Sequence, residues 1–184
     1  MFKWIGALVM VSHLGAACGD PPKPTVPAPN ITQSSDDAGP LECFDALPEI
    51  CQLEYQVVLA TNRFRTDNSQ LPPLTYNGRA GFVARDWSQQ MANAGTLSHD
   101  GFPLERIKLY ARRFPDQPEF KVRGENVLLG NYQTTDRNSI AQIMINQWAA
   151  SPAHREQMLQ NYATVGVGVV QRDGIWYATQ LFTE

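Results

Sequence analysis

Val165-Gly166-Val167-Gly168-Val169-Val170 and Ile175-Trp176-Tyr177-Ala178-Thr179-Gln180-Leu181-Phe182 are joined through a turn at Asp173-Gly174. In the first run Val165, Val167 and Val169 alternate with Gly166, Gly168 and Val170. In the second, Ile175, Tyr177, Thr179 and Leu181 alternate with Trp176, Ala178, Gln180 and Phe182. Successive side chains of a strand point to opposite faces, so two such runs joined through Asp-Gly predict an antiparallel hairpin. Gly166 and Gly168 favour close packing of a helix over approach of a ligand. A third strand is expected near Gly124 to Leu129.

Upstream of the hairpin the period changes to that of a helix. Leu53, Val57, Ala60 and Phe64 share one face, and Ala80, Val83, Ala84, Trp87, Met91 and Ala94 form a second stripe behind a cap at Asn77. Ile140, Ile143, Met144 and Trp148 form a third, entered through Asp136. These are spacings of three and four with polar caps ahead of them. A shorter helix is expected from Pro103, carrying Leu104, Ile107, Leu109 and Tyr110. Helices gathered early and a hairpin late predict an α+β fold, in which helices cover a small antiparallel sheet.

The chain has 184 residues, 43% hydrophobic and 18% charged, with a formal net charge of −3. This bounds one ordinary domain with a sizeable core. Lys and Arg do not cluster, which argues against nucleic acid as a partner, because phosphate contacts need concentrated positive charge.

Residues 1–17 read as a signal peptide: Lys3, the apolar run Trp4 to Val11, then Leu14-Gly15-Ala16-Ala17 before Cys18. The apolar run is shorter than the roughly 20 residues a membrane-spanning helix needs. Small residues directly before Cys18 resemble a bacterial lipobox, so Cys18 is the expected lipidation site and the membrane anchor. Gly15 departs from that pattern and leaves ordinary cleavage near Ala16-Ala17, with release as a secreted protein, as the alternative. Residues 18–42 form a linker carrying Pro21, Pro22, Pro24, Pro27, Pro29 and Pro40. Such a stretch is extended and buries too little apolar surface to fold. The folded domain is assigned to residues 43–184. Lipidation of Cys18 leaves Cys43 and Cys51 as one pair, and export makes a disulfide between them chemically reasonable. It would pin the incoming linker to the start of the first helix.

Two histidines lie outside the leader. His99 sits in Ser98-His99-Asp100-Gly101, and His154 in Ser151-Pro152-Ala153-His154-Arg155. Glu125 lies in Gly124-Glu125-Asn126, beside apolar Val127-Leu128-Leu129, where a carboxylate is expected to be partly buried and to need a partner. Ser151-Pro152 reads as a helix cap followed by proline at the first helical position. That puts His154 in a first turn, where the helix dipole disfavours the imidazolium and leaves a neutral ring able to act as ligand or base. Plainer roles stand beside these. Ser151 can be only a cap and His154 a turn residue. Glu125 can bond backbone amides, or pair with His99 as a fixed strut. Trp87, Trp148 and Trp176 can be core or cleft wall.

Asn62 to Arg65, Leu74, Ser98-His99-Asp100, Gly124-Glu125-Asn126, Trp148 with Ser151 to Arg155, and Val165 to Val169 follow one another in an order that resembles the bacterial branch of the CAP superfamily. That superfamily comprises the cysteine-rich secretory, antigen 5 and pathogenesis-related (SCP-like) proteins. The resemblance covers about Glu54 to Phe182. It implies an α-β-α sandwich with a central cleft, which in eukaryotic members is lined by two His and two Glu able to hold a divalent cation. His99 matches the first histidine and Glu125 the glutamate of the Gly-Glu-Asn motif. Ser151 stands where the second glutamate is expected, and Asn161-Tyr162 where the second histidine is expected; His154 would face the cleft from a different backbone position.

The resemblance implies a surface or secreted binding module whose cleft takes a small ligand, a lipid or a cation. His99, Glu125, His154, Ser151 and Asn161 are its candidate lining. The first three could form a weak, open zinc-type site with water in a remaining position. Family members are linked to lipid binding, to defence and virulence, and to proteolysis. The alternatives are a hydrolase, in which His99 or His154 activates water with Glu125, and an interaction domain whose His/Glu network is purely structural. No nucleophile elbow or His-Glu-x-x-His helix supports the hydrolase. The protein is expected to act as a monomer.

Overall fold

The structure, a computed structural model, describes residues 41–184; the leader, Cys18 and most of the linker lie outside the described residues. Helices α1 (Pro48–Asn68), α2 (Gly78–Ala94), α3 (Leu104–Arg113), α4 (Arg137–Ala150) and α5 (Pro152–Met158) enclose strands β1 (Thr75–Tyr76), β2 (Val122–Gly130), β3 (Thr164–Arg172) and β4 (Ile175–Thr183). The four-stranded sheet has the order β1-β3-β4-β2. The hairpin is as expected: β3 and β4 pair antiparallel with Arg172 opposite Ile175, and Asp173 and Gly174 take φ of 51° and 76°. Positive φ at both turn residues is what a two-residue hairpin turn demands. β2 pairs antiparallel with the far side of β4 and forms one edge of the sheet. The two-residue β1 was not expected; it runs parallel to β3 at the other edge.

The alternation in the hairpin sorts residues onto two faces. Val165, Val167, Val169, Ala178 and Phe182 join Leu53, Val57 and Ala60 of α1 and Ile140, Met144 and Trp148 of α4 in one core. Leu181 and Val122 join Ala80, Val83 and Ala84 of α2 and Tyr110 of α3 in the other. A Cβ on Gly166 would run into Ala80 and Gly81, and one on Gly168 into the backbone of Ala84 and Arg85. Both glycines therefore serve the seating of α2 on β3.

The helices differ from expectation in which side chains they bury. Ile145 is fully buried in α4, whereas Ile143 is only half-buried. In α3 the buried residues are Arg106 and Tyr110, while Leu104 is exposed. Asn77 and Asp136 do cap α2 and α4, accepting from Ala80 N and Ser139 N. Ser151 holds the N-cap position of α5, but its side chain makes no capping bond.

α1 buries polar side chains as well as apolar ones. Glu54, Thr61 and Arg65 are each 0% exposed. Arg85 Nε and Nη2 donate to the two Glu54 oxygens at 2.7 Å each, and Val169 N donates to Oε1 at 3.0 Å. The Asn62-to-Arg65 motif ties the loop after α1 into the fold. Asn62 accepts from Leu74 N and donates to Leu74 O, as a strand partner would. Arg65 donates to the carbonyls of Pro72, Met158 and Gln160. Cys43 and Cys51 form a disulfide that holds the segment before α1 against its first turn. No helix among the described residues is long and apolar enough to cross a membrane.

Candidate functional site

The site gathers at the β2 edge of the sheet. Alternation along β2 gives neighbouring residues opposite duties. Glu125 turns to the α2–α3 side, where its side chain is 1% exposed. Asn126 turns to the α1–α5 side and donates to His154 O and to Gln180 Oε1, both at 3.1 Å. Gln180 Nε2 in turn donates to Thr61 Oγ1 at 2.8 Å. Asn126 Oδ1 is buried with no hydrogen-bond partner. Gly124 has no side chain because Gln157 and the Tyr162 hydroxyl lie where its Cβ would be.

His99 comes from the loop between α2 and α3, and its Nδ1 lies 2.8 Å from Glu125 Oε1. In this pair the ring N–H at Nδ1 donates to the carboxylate oxygen, and Nε2 is the ring nitrogen not engaged in it. The expected His99–Glu125 partnership is therefore present. The His99 side chain is 50% exposed, so one end of this pair is dry and the other wet. His154, the third residue of α5, places its ring centroid 6.5 Å from that of His99. Burial, and secondarily the nearby His99, lower the His154 pKa below the usual histidine value. That direction agrees with the neutral ring expected from the sequence, with burial as the leading cause.

Arg106 is the site residue that sequence reasoning missed. Its Nε donates to Glu125 Oε2 at 2.7 Å and its Nη2 to Oε1 at 3.1 Å. Its Nη1 donates to Asp100 O at 3.0 Å, and its Cζ sits 3.5 Å from the centre of the Trp87 ring. Trp87 Nε1 donates to Ser98 O at 2.8 Å. The guanidinium is thus stacked on an indole and bidentate to a carboxylate, two contacts for which its planar fork is suited. The only available signal was an arginine at the start of a helix otherwise read by its apolar residues. Beyond this pair, Trp87 and Arg106 line a groove of about 250 Å³ together with Asp86, Gln90, Glu105 and Arg112.

The remaining expectations separate. Ser151 is half-buried and Asn161 exposed, and neither side chain joins the His99–Glu125–Arg106 assembly. Tyr162, beside Asn161, stacks on Phe182 at 5.1 Å and donates its hydroxyl to Gln157 Oε1 at 2.6 Å. It takes part in packing where an imidazole was expected. Trp148 is core, its Nε1 donating to Val127 O at 3.1 Å, and Trp87 is wall. The cation set expected from His99, Glu125 and His154 is not assembled. Among the described residues no group of three or more His, Cys, Asp or Glu side chains could hold a metal ion. A cation on Glu125 would also have to sit beside a guanidinium already bonded to both carboxylate oxygens.

Helices on both faces of a short mixed sheet, with Gly-Glu-Asn on an edge strand and a histidine bonded to its carboxylate, define a CAP-type domain. The family model for the cysteine-rich secretory protein (CAP) family matches residues 58–182, and the chain belongs to that family. Solved structures agree. An extracellular protein containing an SCP domain from Bacillus anthracis is similar at 24% identity and a TM-score of 0.56, covering 80% of this chain and 45% of that one. An outer surface protein from Borrelia burgdorferi is similar at 18% identity and a TM-score of 0.54, covering 72% and 92%. NaASP2, solved with Zn2+, is similar at 12% identity and a TM-score of 0.52, covering 76% and 83%. This chain spans less than half the length of the Bacillus anthracis protein. No curated protein shows significant sequence similarity to it.

Proposed function

We propose that the protein is an exported binding module that receives a small polar-headed ligand between His99 and His154. The observation that carries this reading is the His99–Glu125 hydrogen bond at 2.8 Å, with the imidazole half exposed and the carboxylate buried. Such a bond fixes the ring and leaves Nε2 for a ligand, while the nearby His154 ring supplies a second polar contact. Few, well-oriented polar groups are how small-molecule sites define orientation. Export rests on the signal-like leader and on the extracellular or surface character of the Bacillus and Borrelia neighbours. A lipid on Cys18 would tether the domain to a membrane; mass spectrometry of the membrane fraction should then find a mature chain beginning at modified Cys18.

Native protein purified gently should carry its ligand, identified by mass spectrometry. Rebinding of that molecule should weaken at least about tenfold in His99→Ala and in His154→Ala, the loss of one to two good hydrogen bonds. Retention of full affinity in both variants would place the ligand elsewhere. A second reading draws on the same bond, because a carboxylate-oriented imidazole is also the arrangement of a general base. It predicts turnover of an ester or peptide library that His99→Ala abolishes; absence of any turnover leaves the binding module.

A further inference from the structure

We infer that Arg106 stands in the electrostatic place of a divalent cation at Glu125, and that it positions His99. The CAP neighbour solved with Zn2+ shows that this fold can accompany a metal. Here Glu125, the carboxylate of the cation set expected from the sequence, is already bonded to a guanidinium through both oxygens, at 2.7 and 3.1 Å. Arg106 is itself 2% exposed, so the pair is a buried one. Two cations cannot share that carboxylate at contact distance in a dry setting without strong mutual repulsion.

The same arginine reaches His99 by two routes. Through Glu125 Oε1, it fixes the acceptor that holds the imidazole Nδ1–H. Through the backbone, Arg106 Nη1 holds Asp100 O, while Trp87, on which the guanidinium lies, holds Ser98 O. The residues on either side of His99 are therefore tied to one Arg–Trp unit. An exposed histidine on a loop would ordinarily sample several rotamers and both tautomers. This one has its flanking carbonyls and one ring nitrogen fixed. Arg106 is thus a positioning residue, and it makes the site independent of metal. The inference rests on the proposed ligand site only for the use to which His99 is put.

The test reads tautomer and metal affinity without any ligand, so a cleft that binds nothing leaves it intact. In the full chain, nitrogen-15 NMR should show a single Nδ1–H tautomer for His99 in the wild type. Arg106→Gln should mix in the Nε2–H form. Calorimetric titration with zinc alone should give only weak binding to the wild type, which Glu125→Gln leaves unchanged. It should show affinity about tenfold or more higher in Arg106→Gln, the size of change that groups around metal ligands produce. Adding Glu125→Gln should remove that gain. Zinc binding to the wild type that Glu125→Gln abolishes would overturn the inference, as would an unchanged His99 tautomer in Arg106→Gln. If Arg106→Gln fails to fold, Arg106→Lys decides. An ammonium engages one oxygen and frees the other, so zinc affinity should rise several-fold, and affinity equal to wild type would refute the proposal.

Discussion

Replacing Arg85 by Met tests whether the buried Glu54 is held by its partner or tolerated by its surroundings. Methionine keeps much of the arginine stem and a good helix propensity in α2. It removes both 2.7 Å bonds to Glu54 and the 2.7 Å bond from Nη1 to Phe44 O. Glu54 is then left with the Val169 amide alone, in a position that is 0% exposed. Breaking a buried pair from one side costs about 3–5 kcal/mol, whereas an exposed pair contributes about 1 kcal/mol or less. For a domain of this size that is a drop in Tm of about 10–15 °C. Adding Glu54→Gln removes the stranded charge and keeps an oxygen for the Val169 amide, so the double variant should regain about 2 kcal/mol. The pH dependence supplies a second readout. Burial already pushes the Glu54 carboxyl up and Arg85 pulls it back. Without Arg85 the folded state binds a proton more readily than the unfolded chain, so Arg85→Met should gain stability as pH falls from 7 towards 5. The double variant should lack that gain. Urea unfolding at both pH values measures all three proteins. A loss under about 1 kcal/mol in Arg85→Met, or a double variant no more stable than the single, would refute the reasoning.

Gly168→Ala should destabilise by about 1–3 kcal/mol in denaturant melts, because the new methyl meets the backbone of Ala84 and Arg85 and pries α2 from β3. Trp148→Ala should lose about 3–5 kcal/mol, since it empties a site that is 1% exposed and strands the Val127 carbonyl. His154 has a folded pKa lowered below 6.5, so the unfolded chain takes up its proton first on acidification. Its contribution is full above that value and is lost as pH falls through the lowered folded pKa; His154→Gln should flatten this part of the stability profile. Replacing Cys43 and Cys51 by Ser should cost about 2.5 kcal/mol by loop entropy for a sequence separation of 8. An unchanged Tm under reducing conditions would contradict that.

What could be read from the sequence was whatever a local pattern encodes. The β3–β4 hairpin announced itself through period-two alternation and Asp173-Gly174, and α2 and α4 through stripes behind Asn77 and Asp136. β1 was invisible because two residues, Thr75 and Tyr76, carry no periodicity; their strand exists only because β3 offers an edge. The polar stripe of α1 has the spacing of a solvent face, yet Glu54, Thr61 and Arg65 are buried, each satisfied by a partner distant in sequence. Arg106 was missed for the same reason. Its partner Glu125 is 19 positions away, and nothing local in α3 distinguishes an arginine that will meet a carboxylate from one that will meet water. His99 and Glu125 were legible as candidates, but only tertiary structure shows that their bond belongs to a larger assembly.

The domain contains two buried glutamates held bidentately by arginine, and comparing them separates structure from function. Glu54 and Arg85 have side chains 0% and 13% exposed, and the third partner of Glu54 is a strand amide. Every bond there closes within the protein, and the pair joins α1 to α2 and β3. Glu125 and Arg106 are 1% and 3% exposed, an equally dry pair, but the third partner of Glu125 is an imidazole half exposed to solvent. A buried ion pair costs desolvation that packing of apolar side chains would avoid. At Glu54 the return is a satisfied β3 amide. At Glu125 the third bond goes instead to the loop histidine, whose orientation contributes little to the core. The arrangement is explained if the orientation of His99 is itself what the pair serves.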